Sequence, residues 1–197
     1  KMQKILITLL LSVIMSSALL SAPTPTSPEE QTTWGLYLDA KEANAMKKAD
    51  PANVLFIDVR DPAEIMFVGF TDVVDYNIPF MTVNTNKWHS KKPVFELEKN
   101  KYFENDIANA LKMKGMSKDT PILIMCRSGG TRGAPATKLL EGHGYSKVYV
   151  VTDGFEGSKT KTGDKKGFRL EDGWKNSGLP WGYELNKEKM YFTNFQH

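Results

Sequence analysis

Short apolar runs alternate with helical segments along this chain, and that alternation constrains the fold more than any other feature. Val54-Leu55-Phe56-Ile57 ends at Asp58, Pro121-Ile122-Leu123-Ile124-Met125 ends at Cys126, and Lys147-Val148-Tyr149-Val150-Val151 forms a third run. Runs this short, without polar alternation, suit strands buried on both faces. The segments between them carry helix signals. Residues 39–48 place Ala43 and Met46 on one face. Asp61-Pro62-Ala63-Glu64 reads as a helix start, with Asp61 as N-cap, Pro62 at the first position and Glu64 reaching back from the third. A helix over 105–114 stops at Gly115, and another over 133–141 stops near Gly142. Strands and helices in this order predict an α/β fold, a central parallel sheet flanked by helices on both faces. At 197 residues the chain holds one such domain, expected over residues 34–185.

The first 22 residues have a different character. Lys1 and Lys4 supply a basic start, and residues 5–20 are apolar apart from Thr8, Ser12, Ser16 and Ser17. Small residues follow at Ser21 and Ala22, the order of a secretory signal peptide. Cleavage there would deliver the chain to a bacterial periplasm or outside the cell. The apolar stretch of about 16 residues falls short of the roughly 20 that span a bilayer. No stable membrane insertion is expected after cleavage, and an uncleaved anchor is the alternative. Residues 23–33 are rich in Pro, Ser and Thr and read as a flexible linker. Residues 186–197 read as a C-terminal tail with aromatic anchors at Tyr191, Phe192 and Phe195. The net charge of +3 falls to about +1 without Lys1 and Lys4, so no basic patch argues for nucleic acid. His89, His143 and His197 lack ligand spacing, and neither a metal nor a cofactor is expected.

Cys126 is the chain's one cysteine. In an oxidising compartment structural cysteines come in pairs, which leaves a buried bystander or a reactive thiol. Its neighbours decide between them. Cys126-Arg127-Ser128-Gly129-Gly130-Thr131-Arg132 joins a strand end to a helix start, where α/β sheets bind ligands. Small residues let successive backbone amides converge into an anion-binding nest, which favours the thiolate of a cysteine set in it. Arg127 adds charge, and Arg132 could grip an oxyanion with two hydrogen bonds.

These residues resemble the rhodanese-like superfamily. Phe56-Ile57-Asp58-Val59-Arg60-Asp61 is similar to that family's first signature, Ile78-Pro79 to its short Ile-Pro stretch, and residues 122–132 to its active-site segment. Gly173-Trp174-Lys175 and Gly178-Leu179-Pro180 resemble its closing motif. The likeness covers roughly residues 34–181, with polar insertions over 82–102 and 157–173. It implies a sulfurtransferase in which Cys126 takes the outer sulfur of thiosulfate or a persulfide and passes it to cyanide or a thiol. Arg127, Ser128, Gly129, Gly130, Thr131 and Arg132 would bind the small anionic donor. Asp58 and Arg60 read as a mutually satisfied structural pair.

One departure stands out. Five residues separate Cys126 from Arg132, one more than the sulfurtransferases of this family usually have. The longer loop resembles that of rhodanese-fold phosphatases and admits phosphate or arsenate chemistry. Against it, Met125 stands where tyrosine phosphatases have histidine, and only Asp61 and Asp153 offer themselves as a general acid. A third reading is a persulfide carrier or anion-binding module that serves a periplasmic partner. The two polar insertions read as exposed loops or hairpins, or as a rim around the site.

Overall fold

The computed structural model describes residues 21–195. β1 (Tyr37–Leu38) and α1 (Ala40–Ala49) come first, followed by β2 (Leu55–Asp58), α2 (Pro62–Val68) and β3 (Tyr76–Asn77). A hairpin of β4 (Met81–Trp88) and β5 (Phe95–Lys99) then interrupts the alternation. It resumes with α3 (Phe103–Met113), β6 (Ile122–Met125), α4 (Gly133–Leu139) and β7 (Val148–Val151), and α5 (Tyr191–Asn194) closes the chain. The central sheet is parallel throughout, in the order β1-β7-β6-β2-β3. Ile57, Ile124 and Val150 stand side by side across its middle.

Every residue of β2 and β6 is buried, and the pleat deals their side chains to two separate cores. Leu55, Ile57, Ile122 and Ile124 pack with Phe103, Ile107, Ala110 and Leu111 of α3 and Ala136 of α4. Phe56, Leu123 and Met125 face the other way, against Ala40 and Ala43 of α1, Ile65 of α2, Phe155 and Trp174. The predicted α/β architecture, with helices on both faces, is the one observed. Each strand end carries a residue out of this packed layer to the carboxyl edge of the sheet, where Asp58 and Cys126 follow or finish β2 and β6.

The Asp58–Arg60 pair is structural, as its sequence context implies. Both side chains are fully buried, and the guanidinium meets the carboxylate at 2.6–3.1 Å through Nε and one terminal nitrogen. That nitrogen also donates to the Gly69 carbonyl at 3.0 Å. The guanidinium lies 4.0 Å from the centre of the Phe155 ring. Asn77 ties the same turn down by donating to the carbonyls of Asp58 and Arg60. These bonds offset much of the cost of burying the charge pair, while the other terminal nitrogen of Arg60 is buried without a hydrogen-bond partner among the described residues.

The structure differs from the sequence reading at both ends. Residues 23–33, expected as a flexible linker, are mostly exposed but attached at several points. Pro28–Glu30 forms a 3-10 turn beside α4, where Lys138 donates to the Glu29 carbonyl at 2.9 Å. The Thr33 amide donates to Glu141, and the Thr32 amide to the Tyr37 hydroxyl. The expected C-terminal tail also belongs to the domain. Phe195 is buried in the α3 core, Met190 in the opposite one, and the Tyr191 hydroxyl donates to Asp106 at 2.9 Å. A polar composition concealed both attachments, because few, well-placed contacts hold each segment. Nearly all of the expected signal segment lies outside the described residues. Among those described, no helix is long and apolar enough to cross a membrane.

Candidate active site

β6 ends at Met125, and Cys126 follows with its side chain turned into the α3 core, only 1% exposed. Its sulfur lies against the first turn of α4, near enough that a Cβ built on Gly133 would stand 3.5 Å from Sγ. The segment after β7 fixes the loop from behind. Phe155 donates its amide to the Cys126 carbonyl and Glu156 its amide to that of Arg127, both at 2.8 Å. This packing tolerates no side chain at two glycines. Gly154 has φ +62°, and a Cβ there would sit 2.6 Å from both the Ser128 nitrogen and the Cys126 oxygen. Gly129 has φ +81°, and its Cβ would overlap the Thr152 carbonyl. On the N-terminal side, a Cβ on Gly130 would collide with the Glu30 carboxylate.

The backbone amides of residues 128–131 donate to no acceptor among the described residues. Gly129 and Gly130 are buried, Ser128 is half-buried and Thr131 exposed, and successive amides without an internal acceptor are a donor set of the kind that receives an anion. Above it opens a cavity of about 430 Å³ lined by Arg127, Ser128, Thr131, Arg132 and Glu64, with Arg169 and four hairpin residues as its rim. Of the predicted binding residues Arg127, Ser128, Thr131 and Arg132 line the cavity, whereas Gly129, Gly130 and the buried Cys126 lie outside its lining.

Both arginines of the loop already have partners. Arg132 is 6% exposed and grips Glu64 with two nitrogens, one of them at 2.9 Å. Arg127 pairs with Glu156. Glu64 therefore does not close a capping box at the start of α2, as the sequence predicts. Asp61 caps α2 alone, accepting from the Ala63 amide at 2.7 Å. Burial draws the Glu64 carboxyl up, but the Arg132 hydrogen bonds and the charges of Arg132, Arg60 and Arg127 hold it below the usual carboxylate value. For Arg132, burial works against the guanidinium charge, and Glu64 outweighs it, raising the pKa above its ordinary value. The expected free oxyanion clamp is a closed ion pair.

Arg169 was not legible as a site residue. It comes from the 157–173 insertion, donates to the Gly157 carbonyl, and has no carboxylate in ion-pair contact among the described residues. Burial and the neighbouring Arg127 push its guanidinium below its ordinary value. The polar 82–102 segment forms a hairpin that also rims the cavity, the second of its two sequence readings. Val83 and Leu97 are directly opposite in its ladder, and the two-residue period puts Phe95 on the same face. That face, with Val94, closes the cavity. Asp61 pins the hairpin by accepting from the Val83 amide at 2.8 Å.

Neither candidate general acid is placed for that task. Both oxygens of Asp61 accept backbone amides. Asp153 accepts from the Gly173 amide and lies outside the cavity lining. Burial lifts its carboxyl to about 6.

A family model for the rhodanese-like domain matches residues 39–161, more than half of the chain. The chain belongs to the rhodanese-like domain family. Among its relatives, the uncharacterized protein RP600 of Rickettsia prowazekii is 30% identical over 132 residues, covering 66% of this chain and 85% of that protein. RC0915 of Rickettsia conorii, also uncharacterized, is 28% identical over the same shares of both chains. The crystal structure of Rv0390 from M. tuberculosis is similar with a TM-score of 0.53 and 26% identity, covering 77% of this chain and all of that one.

Proposed function

We propose that this protein is an exported sulfurtransferase that carries sulfane sulfur on Cys126. The observation that supports this reading is the loop over Cys126. It holds a cysteine sulfur beneath a run of unpartnered backbone amides and opens to a cationic cavity. In this reading the Cys126 thiolate attacks the outer sulfur of thiosulfate or a persulfide. The new S–S bond forms as the donor's S–S bond breaks, and sulfite or a thiolate leaves with the electron pair. The amides of residues 128–131 receive the resulting anionic persulfide. Cyanide or an acceptor thiolate then takes the outer sulfur and returns the electron pair to Cys126. Export follows from the signal-like order of residues 1–22, and the acceptor would be a small thiol or a periplasmic protein.

Phosphatase or arsenate chemistry is less well supported, despite the longer loop. The Arg132 fork that would clamp a tetrahedral oxyanion is occupied by Glu64, and among the described residues the cavity lining holds no carboxylate besides that paired Glu64. The test exposes the protein to thiosulfate and follows its mass, with Cys126→Ser as control. Gain of one sulfur atom, lost on adding cyanide, supports the reading. Gain of sulfur with no turnover would make the protein a carrier, and hydrolysis of an aryl phosphate without sulfur gain would overturn the proposal.

A further inference from the structure

The cavity over Cys126 is much larger than the sulfur chemistry needs. Thiosulfate and cyanide have a handful of atoms each, whereas a space of about 430 Å³ falls in the range that holds organic ligands, roughly 300–1,000 Å³. Its walls also differ in kind. One side is the apolar face of the hairpin, with Val83, Phe95 and Leu97 exposed on neighbouring ladder positions and Val94 beside them. The facing side is cationic, but the charges of Arg127 and Arg132 are met by Glu156 and Glu64. Arg169 is the cation of the lining without a carboxylate partner among the described residues.

We infer that the hairpin and Arg169 select the acceptor, and that it is an organic thiol with an extended apolar body and an anionic end. The inference rests on the sulfurtransferase reading and adds the residues that set its specificity. The apolar body lies along Val83, Val94, Phe95 and Leu97, and the anionic end meets Arg169. The acceptor thiolate attacks the outer sulfur of the Cys126 persulfide, forming its own S–S bond, and the Cys126 S–S bond breaks with its electron pair left on Cys126. A persulfide extends the buried sulfur by one S–S bond of about 2 Å, toward an acceptor that cannot reach the sulfur directly.

The experiment loads the full-length protein with thiosulfate, confirms the added sulfur by mass, and measures its discharge to a series of thiols. 3-Mercaptopropionate, 6-mercaptohexanoate and 8-mercaptooctanoate vary the apolar length, and 6-mercaptohexanol lacks the anion. kcat/KM should rise about two- to fourfold with each added methylene that reaches the hairpin, and the acid should exceed the alcohol about tenfold. The ratio of long to short thiol should collapse in Phe95→Ser and Val94→Ser, and the ratio of acid to alcohol in Arg169→Gln. Ratios within one variant cancel any general loss of folded protein. Loading followed by equal discharge to all the thiols, or variants with unchanged ratios, would overturn this inference and leave the sulfurtransferase reading intact. Failure to load would overturn both.

Discussion

Replacing Glu64 with Gln tests whether the closed ion pair over the loop stabilises the fold. The amide keeps the shape and one hydrogen bond but leaves Arg132 as an uncompensated charge. Breaking a fully buried pair from one side costs about 3–5 kcal/mol. Here the side chains are 7% exposed for Arg132 and 17% for Glu64, so water recovers part of that loss and about 2–3 kcal/mol is expected. For a chain of this length that lowers Tm by roughly 5–10 °C. The pH dependence gives an independent check. The folded carboxyl titrates below its ordinary 4.5, so its contribution is complete above that value and lost as pH falls through the lowered one. Urea unfolding of both proteins should therefore show the full gap at neutral pH and a closing gap below about 4.5. A variant that melts within about 1 °C of the parent at neutral pH, or a gap that ignores pH, would refute the reasoning. The same substitution opens the Arg132 fork, and sulfate should inhibit sulfur loading more strongly.

Gly129→Ala forces a side chain against the Thr152 carbonyl at a positive φ. It should cost about 2–3 kcal/mol in urea unfolding and lower persulfide formation at least tenfold by mass. Asp153 pays for ionisation in the fold, because its folded carboxyl titrates at about 6 rather than 3.8. Asp153→Asn should stabilise the protein by about 1–2 kcal/mol above pH 6, with the gain vanishing below about pH 4. N-terminal sequencing of protein from a periplasmic extract should find a start between Leu19 and Pro23, and an intact first residue would refute export with cleavage.

The sheet was legible because burial on both faces writes itself into sequence as unbroken apolar runs. Val54-Leu55-Phe56-Ile57 and the run before Cys126 could be placed from that pattern alone. The cysteine loop was legible for a different reason: its chemistry and its backbone freedom both need residues adjacent in the chain. What pairs across the fold was not legible. Glu64 sits at a capping position, and nothing local tells it from a residue that reaches 68 positions along to Arg132. Arg169 lies among lysines in a segment with no periodicity. In the hairpin, Val83, Phe95 and Leu97 alternate with Thr, Asn, Glu and Lys. Alternation with so few apolar positions reads as a solvated strand, which it is on one face.

The strand order has a consequence for solubility. Both outer positions of the sheet fall to strands of two residues, β1 and β3. An incoming chain would find little ladder to extend at either edge, which is how native sheets avoid templating one another. At β1 even that is reduced, since Ala22 donates its amide to the Tyr37 carbonyl at 3.0 Å. Cleavage after Ala22 would remove the donor of that bond, whereas cleavage after Ala18 would keep it. The longest solvent-facing ladder belongs instead to β4 and β5, with exposed valine, leucine and aromatic side chains. Self-association of this protein should begin at the hairpin, and a lysine at Trp88, on its exposed end, should raise the concentration at which the protein stays dispersed.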